Sequence, residues 1–326
     1  MSVTLPRTPG NIGPHSRGVF IISVTPFTES GEIDWPSVDS LVEFYLAKGV
    51  HGVTILGMMG EAQKLSDSEQ AAFAKHFIAR VAGRVPVVVG VSNPGTDNLV
   101  ALSNVATDAG AAGVMIAPMA GLKTEVQIRD YFATVFKRLG PDIPVCFQDY
   151  PMGTSVNISV PAFLQLVDEH PSLAMFKHED WPGLRKLQQV RRACDGSARR
   201  RISILCGNGG LYLPQELHRG ADGAMTGFAF PEMLVEVCET FFAGRPDAAE
   251  DMFDCYLPLV RHEQQIGVGL AIRKEILRRR GAIACAAART PGPRLDRDDL
   301  EELDRLLRRL ERRLAGVARS SSGVAA

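Results

Sequence analysis

Eight short apolar segments, each suitable for a buried β-strand, recur along the first two thirds of the chain and alternate with longer helical segments. They are GVFIISVT (18–25), GVTIL (52–56), VPVVVGV (85–91), GVMIAP (113–118), IPVCFQ (143–148), LAMFK (173–177), ISILCG (202–207) and GAMTG (223–227). Continuous apolar strands that alternate with helices indicate parallel pairing in a sheet that is buried on both faces. Eight such α/β units in about 230 residues are typical of a closed (β/α)8 barrel. No GxGxxG follows the first strand, which disfavours a dinucleotide-binding doubly wound sheet.

The segments beyond the eighth unit complete the predicted domain organisation. Helical patterns continue over 246–281 and 296–315, and the second of these is charged and amphipathic. The resulting division is a flexible N-terminal segment (1–16), the barrel (17–243), a C-terminal helical extension (244–315) and a disordered tail (316–326).

Composition and charge exclude several classes of function. The chain has 326 residues and a formal net charge of -1, which gives no electrostatic reason to expect a nucleic acid or a membrane as partner. None of the six cysteines forms a CxxC pair or a metal spacing, so we expect reduced thiols and no metal site. Neither a signal peptide nor a membrane-spanning stretch is evident, and we expect a cytoplasmic protein with a small-molecule partner.

Lys177 ends the sixth predicted strand, within the stretch LAMFKHED (173–180). A buried lysine is costly unless it is paired or neutral. Because the active sites of such barrels lie at the carboxyl ends of the strands, we expect Lys177 to project toward that face. One hypothesis is a structural ion pair with Glu179 or Asp149. The other is an amine kept neutral by burial, which attacks a ketone and forms a Schiff base.

Motifs at other strand ends support the second hypothesis through a family resemblance. TPF (25–27), the GxxGE-type turn GMMGE (57–61) and the lysine at the end of strand six occur in order, followed by a helical extension. In these features the chain resembles the dihydrodipicolinate synthase and N-acetylneuraminate lyase superfamily over roughly residues 17–315. The resemblance implies that Lys177 forms an imine with a 2-keto acid. It also implies that backbone N–H groups of the GMMGE turn hold the substrate carboxylate.

The chain departs from this superfamily at residues that carry proton transfer. Met58 and Met59 stand where most members have hydroxyl residues, one of which relays protons. When the fifth strand is aligned on Pro151, Gln148 takes the place of the catalytic tyrosine, and Tyr150 lies two residues further along. The arginine with which dihydrodipicolinate-forming members bind their second substrate is also missing after this proline. Lysine-biosynthesis activity is therefore not expected.

A narrower resemblance favours a particular reaction. The QDxP end of strand five, FKxE around Lys177, GAMTGxxFP (223–231) and the stretch 257–283 resemble dehydratases that act on L-2-keto-3-deoxyarabonate. In such a reaction the iminium makes the C3 protons acidic, a base removes one, and the enamine expels the C4 hydroxyl as water. The chemistry requires no cofactor. We therefore predict a Schiff-base hydro-lyase for a 2-keto-3-deoxy sugar acid.

The acid/base group must come from a residue other than the usual tyrosine. Glu179 is the first candidate, because strand alternation places residues 177 and 179 on one side, although it could equally serve as a counter-charge for Lys177 or as a helix cap. Tyr150 is the second candidate, provided that the turn before Pro151 swings it inward. Gln148 cannot transfer protons and is expected to position the substrate by a hydrogen bond.

Further residues are expected to contact the substrate or to support the site. Met58 and Met59 belong to the carboxylate turn, and Gly207 and Asn208 follow strand seven, where they would approach the hydroxyl end of the substrate. Thr25 would support the lysine or the carboxylate site.

Other polar residues near the strand ends are assigned elsewhere. His178 should point away from the substrate if Lys177 points in. Asp149 is expected either to orient Gln148 or to face solvent. Glu263, on a C-terminal helix, is expected at a subunit or barrel contact.

Several alternatives stay open at this point. A 2-keto-3-deoxy acid aldolase would use the same imine but cleave the C3–C4 bond, giving pyruvate and an aldehyde. An imine-based synthase or deaminase is a further possibility, and a barrel that binds a keto acid without turnover belongs to another functional class. The resemblance also implies a homotetramer or a dimer.

Overall fold

Eight parallel strands close into a barrel in the order of the sequence, with the last strand paired to the first. The computed structural model describes residue 5, residues 10–181 and residues 183–323, with side chains of the final helix as far as residue 316. The strands are β1 (Gly18–Ile22), β2 (Gly52–Ile55), β3 (Val87–Gly90), β4 (Gly113–Ile116), β5 (Val145–Asp149), β6 (Leu173–His178), β7 (Ser203–Cys206) and β8 (Gly223–Ala224). The predicted (β/α)8 barrel is confirmed, and each strand falls on its predicted segment.

Helices cover the outside of the barrel and continue beyond it. They are α1 (Trp35–Ala47), α2 (Asp67–Val81), α3 (Thr96–Asp108), α4 (Glu125–Leu139), α5 (Pro151–Thr154), α6 (Val160–Glu169), α7 (Leu184–Ala193), α8 (Leu213–His218), α9 (Pro231–Phe242), α10 (Pro246–Glu263), α11 (Gly269–Arg279) and α12 (Arg297–Gly323). Ser66 begins α2 with the capping box that its spacing to Glu69 predicts, because each side chain bonds the other residue's backbone N–H.

Two apolar layers result from the alternation of side chains along each strand. One set points into the barrel and forms a small inner core: Ile12, Phe20, Ile22, Val88, Ala112, Met115, Cys146, Met175, Leu205 and Met225. The other set, which includes Phe147 and Phe176, packs against the surrounding helices. In β6 the inward positions are therefore Met175 and then Lys177, so the lysine stands one layer above the apolar core, toward the carboxyl ends of the strands.

The N-terminal segment closes the opposite end of the barrel. The backbone N–H of Ile12 donates to the carbonyl of Ala112, and the Ile12 side chain is buried in the inner core. Ser203 donates from its hydroxyl to the carbonyl of Ser16. Residues 10–16 are therefore held against the barrel, which differs from the flexible segment expected over 1–16; residues 1–4 and 6–9 of that segment lie outside the described residues.

The C-terminal extension also differs from its predicted helices. The helical pattern predicted over 246–281 contains two helices, α10 and α11, separated by a loop at 264–268. Gly267 in this loop has a φ of 89°, a left-handed value that favours glycine. The last helix extends through Gly323, so most of the tail expected from 316 onward is helical, and its residues 324–326 lie outside the described part of the chain.

Candidate active site

Lys177 lies at the centre of the carboxyl-terminal face of the barrel. Its side chain is 5 % exposed, and its Nζ lies 3.0 Å from Oε2 of Glu179. In the barrel register Lys177 is opposite Gln148 of β5 and Leu205 of β7. The structure therefore contains the predicted burial and also the ion pair. An amine attacks a ketone only in its neutral form, and Glu179 is the carboxylate in contact with Lys177 that could accept a proton from it.

Glu179 is held on the same side of the sheet as Lys177. Its backbone N–H donates to the carbonyl of Asp149 at 2.9 Å, which continues the pairing of β5 and β6 one residue beyond His178. Its side chain accepts a hydrogen bond at Oε2 from Nε2 of Gln148, at 2.7 Å. The carboxylate that pairs with Lys177 is thus held in place by Gln148.

The turn after β7 completes the surroundings of Glu179. Nδ2 of Asn208 donates to the Glu179 carbonyl at 3.2 Å, and the Asn208 backbone N–H lies 3.5 Å from Oε1. A Cβ atom at Gly207 would overlap Cγ of Glu179, so only glycine leaves room for the carboxylate. Asn208 is therefore turned toward Glu179 and lines the cavity.

Tyr150 lies at the rim of the same cavity. It directly precedes α5, and its ring packs on Gly153, where a Cβ would overlap the ring edge. Burial raises the pKa of the Tyr150 hydroxyl, and the nearby charge of Glu179 raises it further. The turn before Pro151 therefore places the tyrosine beside the cavity, as the prediction required, but in an environment that disfavours the phenolate.

The GMMGE turn after β2 forms another wall of the cavity, with Met58 close to Gly153 and Tyr150. Met58–Gly60 make one 3-10 turn, and both methionines line the cavity. Thr25 is not among the described residues that line the cavity; its hydroxyl donates to the carbonyl of Gly60 at 2.6 Å and supports the turn from outside. A thioether is at most a weak acceptor, so the donors of this wall are backbone N–H groups.

Glu61 closes this turn and attaches it to the C-terminal extension. Its buried carboxylate accepts from Nζ of Lys274 at 2.6 Å, from Nζ of Lys64 at 2.8 Å and from the backbone N–H of Arg289 at 3.0 Å. The last residue of GMMGE therefore has a structural role, because these interactions are all with residues outside the cavity.

The cavity between these walls has a volume of about 240 Å³. Its lining includes Ile22, Met58, Met59, Gln148, Tyr150, Lys177, Glu179, Asn208, Gly209, Thr226, Gly227, Glu263, Gln264, Gln265, Ile266, Gly267, Gly269, Leu270 and Arg273. Seven of the nine predicted site residues are in this set, and Lys177 is one of them. The other two, Thr25 and Gly207, stand directly behind the lining, as their contacts with Gly60 and Glu179 indicate.

The C-terminal extension supplies a wall that the sequence analysis missed. Glu263 ends α10 and forms a buried ion pair with Nε of Arg273 in α11, while its Oε2 accepts from the backbone N–H of Ala229 at 3.1 Å. Burial raises the pKa of Glu263, and the charge of Arg273 opposes this shift. The expectation of a subunit or barrel contact for Glu263 was incomplete, because the residue both contacts the barrel and lines the cavity.

Arg273 has one further unusual feature. Its Nη1 is buried and has no hydrogen-bond partner among the described residues. A Cβ at Gly227 would overlap this atom, so the guanidinium lies against the backbone that follows β8. In the sequence, the only signal for these residues is the stretch 257–283, which contributes to the subgroup resemblance without indicating a position in the site.

A second polar cluster lies on the outer side of β6 and β7. His178 points away from the cavity, as predicted, and its Nε2 lies 3.0 Å from the carbonyl of Gly183. Asp149 neither orients Gln148 nor faces solvent; it is buried and pairs with Lys186 at 2.6 Å. Burial raises the pKa of Glu216, in α8 behind β7, to about 7.

Metal-binding clusters and membrane spans are both absent from the described residues. No group of three or more potential metal-binding side chains occurs in them. No helix in this part of the chain is both long enough and apolar enough to cross a membrane.

Comparisons with known proteins agree with this architecture. A profile of the dihydrodipicolinate synthetase family matches residues 15–310. L-2-keto-3-deoxyarabonate dehydratase of Azospirillum brasilense is 33 % identical over 306 residues, which cover 91 % of this chain and 96 % of that protein. 4-Hydroxy-tetrahydrodipicolinate synthase of Sorangium cellulosum is 31 % identical over 231 residues, covering 70 % and 74 %.

A solved structure provides a comparison of the fold. The crystal structure of a protein described as dihydrodipicolinate synthase from Rhodopseudomonas palustris superposes with a TM-score of 0.90 at 46 % identity. The superposition covers 92 % of this chain and 99 % of that one, so the similarity includes the C-terminal extension as well as the barrel.

Proposed function

The chain belongs to the dihydrodipicolinate synthetase family of lyases, and from this premise we propose that it dehydrates a 2-keto-3-deoxy sugar acid through an imine on Lys177. The preferred substrate is a compound like L-2-keto-3-deoxyarabonate. The similarity to the Azospirillum brasilense dehydratase over nearly the whole chain supports this choice. Homo-oligomerisation, as a tetramer or a dimer, is part of the same proposal.

The observation that carries the proposal is the pairing of a buried lysine with a buried carboxylate at the centre of the barrel face. Lys177 and Glu179 lie 3.0 Å apart, and Gln148 holds the carboxylate from the other side. A glutamine cannot titrate, so the group able to exchange protons with Lys177 here is Glu179. An amine and an acid/base group in direct contact are what imine-based elimination requires.

Imine formation begins with a proton transfer inside this pair. Glu179 takes a proton from the Lys177 ammonium, and the free amine attacks C2 of the keto acid. The C2 oxygen leaves as water, and Glu179 returns its proton to the imine nitrogen to give the iminium. Because both groups are buried, little water competes for the proton during these steps.

Dehydration then uses the same carboxylate twice. The iminium withdraws electrons from C2, so Glu179 can remove a proton from C3 to form the enamine. The enamine expels the C4 hydroxyl, which leaves as water with the proton that Glu179 has just taken. Hydrolysis of the resulting conjugated iminium restores the Lys177 amine and releases an unsaturated 2-keto acid.

The carboxylate of the substrate is assigned to the GMMGE turn. Met58 and Met59 occupy the first positions of the 3-10 turn, where backbone N–H groups have no acceptor within the turn. Thr25 fixes the turn through the carbonyl of Gly60. Such N–H groups suit a carboxylate, and the methionine side chains exclude water from it.

Borohydride reduction in the presence of pyruvate tests the imine. We expect a stable adduct at Lys177, identified by peptide mapping, in the wild type and in Lys75→Ala, a matched control at an exposed lysine on α2. Lys177→Ala should form none. An adduct that persists in Lys177→Ala, or the absence of an adduct in the wild type, would exclude the proposed mechanism.

Product analysis separates the proposed reaction from its alternatives. With 2-keto-3-deoxy pentonates and hexonates we expect an unsaturated keto acid, or the compound that it forms by tautomerisation (an aldehyde from a pentonate, a ketone from a hexonate), without release of pyruvate. Pyruvate together with an aldehyde would identify an aldolase. An adduct with no turnover of any substrate would identify a keto-acid-binding protein.

A further inference from the structure

The loop between α10 and α11, residues 264–268, forms the outer wall of the cavity on the side of β7. Gln264 is its first residue, and its side chain reaches over Gly209 so closely that a Cβ there would overlap the Gln264 amide. Gly209 has a φ of 65°, which itself favours glycine. The glycine therefore leaves space for the amide of Gln264 directly beside Asn208.

The side-chain amide of Gln264 is available for a ligand. Among the described residues no hydrogen bond involves this amide, although the side chain is partly buried in the cavity wall. The neighbouring Gln265 differs, because its Nε2 contacts Nδ1 and the carbonyl of His262 at 3.0 and 2.9 Å. Both glutamines line the cavity, but only the side chain of Gln264 has no hydrogen-bond partner among the described residues.

The position of Gln264 is fixed from both sides. Glu263, immediately before it, is held by Arg273 and by the backbone N–H of Ala229. The N–H of Gly269 donates to the carbonyl of Gln265 at 3.0 Å and closes the loop. A glutamine on an anchored backbone loses little additional freedom when its amide binds a ligand.

We propose that Gln264 binds the hydroxyl on C5, one carbon beyond the reacting centre, and so makes the site specific for a polyhydroxylated keto acid. Glu179 must reach C3 and C4, and Asn208 and Gly209 extend from Glu179 to Gln264. The next carbon of the chain would therefore lie at Gln264. An amide both donates and accepts, as does a hydroxyl group.

The charges of the cavity favour a substrate that is uncharged at the end remote from its C1 carboxylate. Lys177 is paired with Glu179, and Arg273 is paired with Glu263. A second carboxylate at the far end of the substrate would add a negative charge to a cavity in which Glu179 and Glu263 already balance these two cations. We accordingly assign one carboxylate, at C1, and hydroxyl groups beyond C4. This assignment rests on the proposed imine chemistry at Lys177.

A comparison of two keto acids tests the role of Gln264. 2-Keto-3-deoxypentonate carries the C5 hydroxyl, and 4-hydroxy-2-oxobutanoate ends at C4. In Gln264→Ala we expect kcat/KM for the longer acid to fall about tenfold, as for the loss of one hydrogen bond, and the value for the shorter acid to change less than about twofold. Gln215→Ala, at an exposed glutamine of α8 outside the cavity lining, is the matched control and should leave both values unchanged.

The two keto acids can also be compared by borohydride trapping, which detects the imine whichever reaction follows it. In Gln264→Ala the concentration of pentonate needed for half-maximal trapping should rise, while that of the shorter acid stays constant. Equal changes for both acids, or no change for the pentonate, would overturn the role of Gln264. If the wild type traps both acids but cleaves them to pyruvate, the dehydratase proposal fails and the Gln264 comparison still stands. Trapping of neither acid by the wild type would overturn both proposals.

Discussion

The carboxylate of Glu179 is shared at one oxygen between an amine and an amide. Oε2 lies 3.0 Å from Nζ of Lys177 and accepts from Nε2 of Gln148 at 2.7 Å. Gln148 remains neutral at every stage, so it can hold the carboxylate in place while protons move only between Lys177, Glu179 and the substrate. One acid/base group can then serve successive steps, whereas Tyr150 remains at the rim.

Removal of the titrating group at position 179 should separate elimination from imine formation. We expect Glu179→Gln to lower kcat by about 10²- to 10⁴-fold, the range for loss of a general acid/base. Pyruvate should still be trapped on Lys177, but more slowly than in the wild type, because Glu179 also exchanges protons with Lys177 during imine formation. Tyr150→Phe, which keeps the ring, should change kcat only a fewfold. Steady-state rates and reductive trapping measure the two effects. A larger loss in Tyr150→Phe than in Glu179→Gln would assign the acid/base role to the tyrosine.

A methyl group at position 207 should displace the same carboxylate. The added Cβ in Gly207→Ala would overlap Cγ of Glu179, which must then leave its contacts with Gln148 and Lys177. We expect kcat/KM to fall at least about tenfold, with a smaller effect on thermal stability. Gly13→Ala is the control, because a Cβ added there would have no atom within 4 Å. Unchanged activity in Gly207→Ala would contradict the tight placement of Glu179.

At the scale of elements, most of the correct predictions followed from the periodicity of apolar residues in the strands. Apolar runs and alternation indicate β6, the inward direction of Lys177 and the outward direction of His178, because these depend only on local backbone geometry. The break between α10 and α11 does not follow from local pattern. It depends on the attachment of Glu263 to Arg273 and to the backbone after β8, which is a tertiary contact. The cavity wall at Gln264 was missed for the same reason.

The packing of α8 behind β7 should make stability depend on pH. The folded-state pKa of Glu216 is about 7, raised by burial, whereas an unfolded glutamate has a pKa near 4.5. The folded state therefore binds more protons between these values, and the free energy of unfolding falls as the pH rises from about 4.5 to 7. Well above pH 7 Glu216 is ionised in both the folded and the unfolded state, and its titration no longer changes the free energy of unfolding.

Glu216→Gln removes this titration. As the pH rises from about 4.5 to 8, the free energy of unfolding of the variant should increase by about 3 kcal/mol relative to that of the wild type. Urea unfolding at both pH values measures the difference. Glu311→Gln, at an exposed position of α12, should show no such gain. A parallel pH dependence in the wild type and Glu216→Gln would exclude Glu216 as the source.

At the scale of the whole molecule, Glu61 joins the barrel to its C-terminal extension. The side chain of Lys274 has no exposure to solvent, and its Nζ pairs with the Glu61 carboxylate at 2.6 Å. We expect Glu61→Gln to lower the free energy of unfolding by about 3 to 5 kcal/mol, because it leaves a buried ammonium without its counter-charge. Glu43→Gln, which breaks exposed pairs with Arg80 and Arg84, should have little measurable effect. Urea denaturation compares the two, and equal losses would contradict the structural role of Glu61.

Thiol reactivity provides a second measurement of the whole fold. Five of the six cysteines are buried, and only Cys285 is partly exposed. Burial and a hydrogen bond to Glu29 raise the pKa of the Cys285 thiol, which should slow even this reaction. With a chromogenic aromatic disulfide as the reagent, we expect at most one thiol to react in the native protein and all six after denaturation. Rapid reaction of two or more native thiols would contradict the packing.

The contact between Glu61 and Lys274 also sets an order of events during synthesis. The two residues are 213 positions apart, so a nascent chain makes Glu61 long before its counter-charge exists. Chains grow from the N-terminus and fold as they emerge, and such a chain would complete Lys177 and Glu179 well before α11. A chain that ends before α11 would therefore contain Lys177, Glu179 and Gln264 but lack Arg273, which holds Glu263 beside Gln264. The anchor of the cavity wall at Gln264 is thus added last, after the residues of the barrel face.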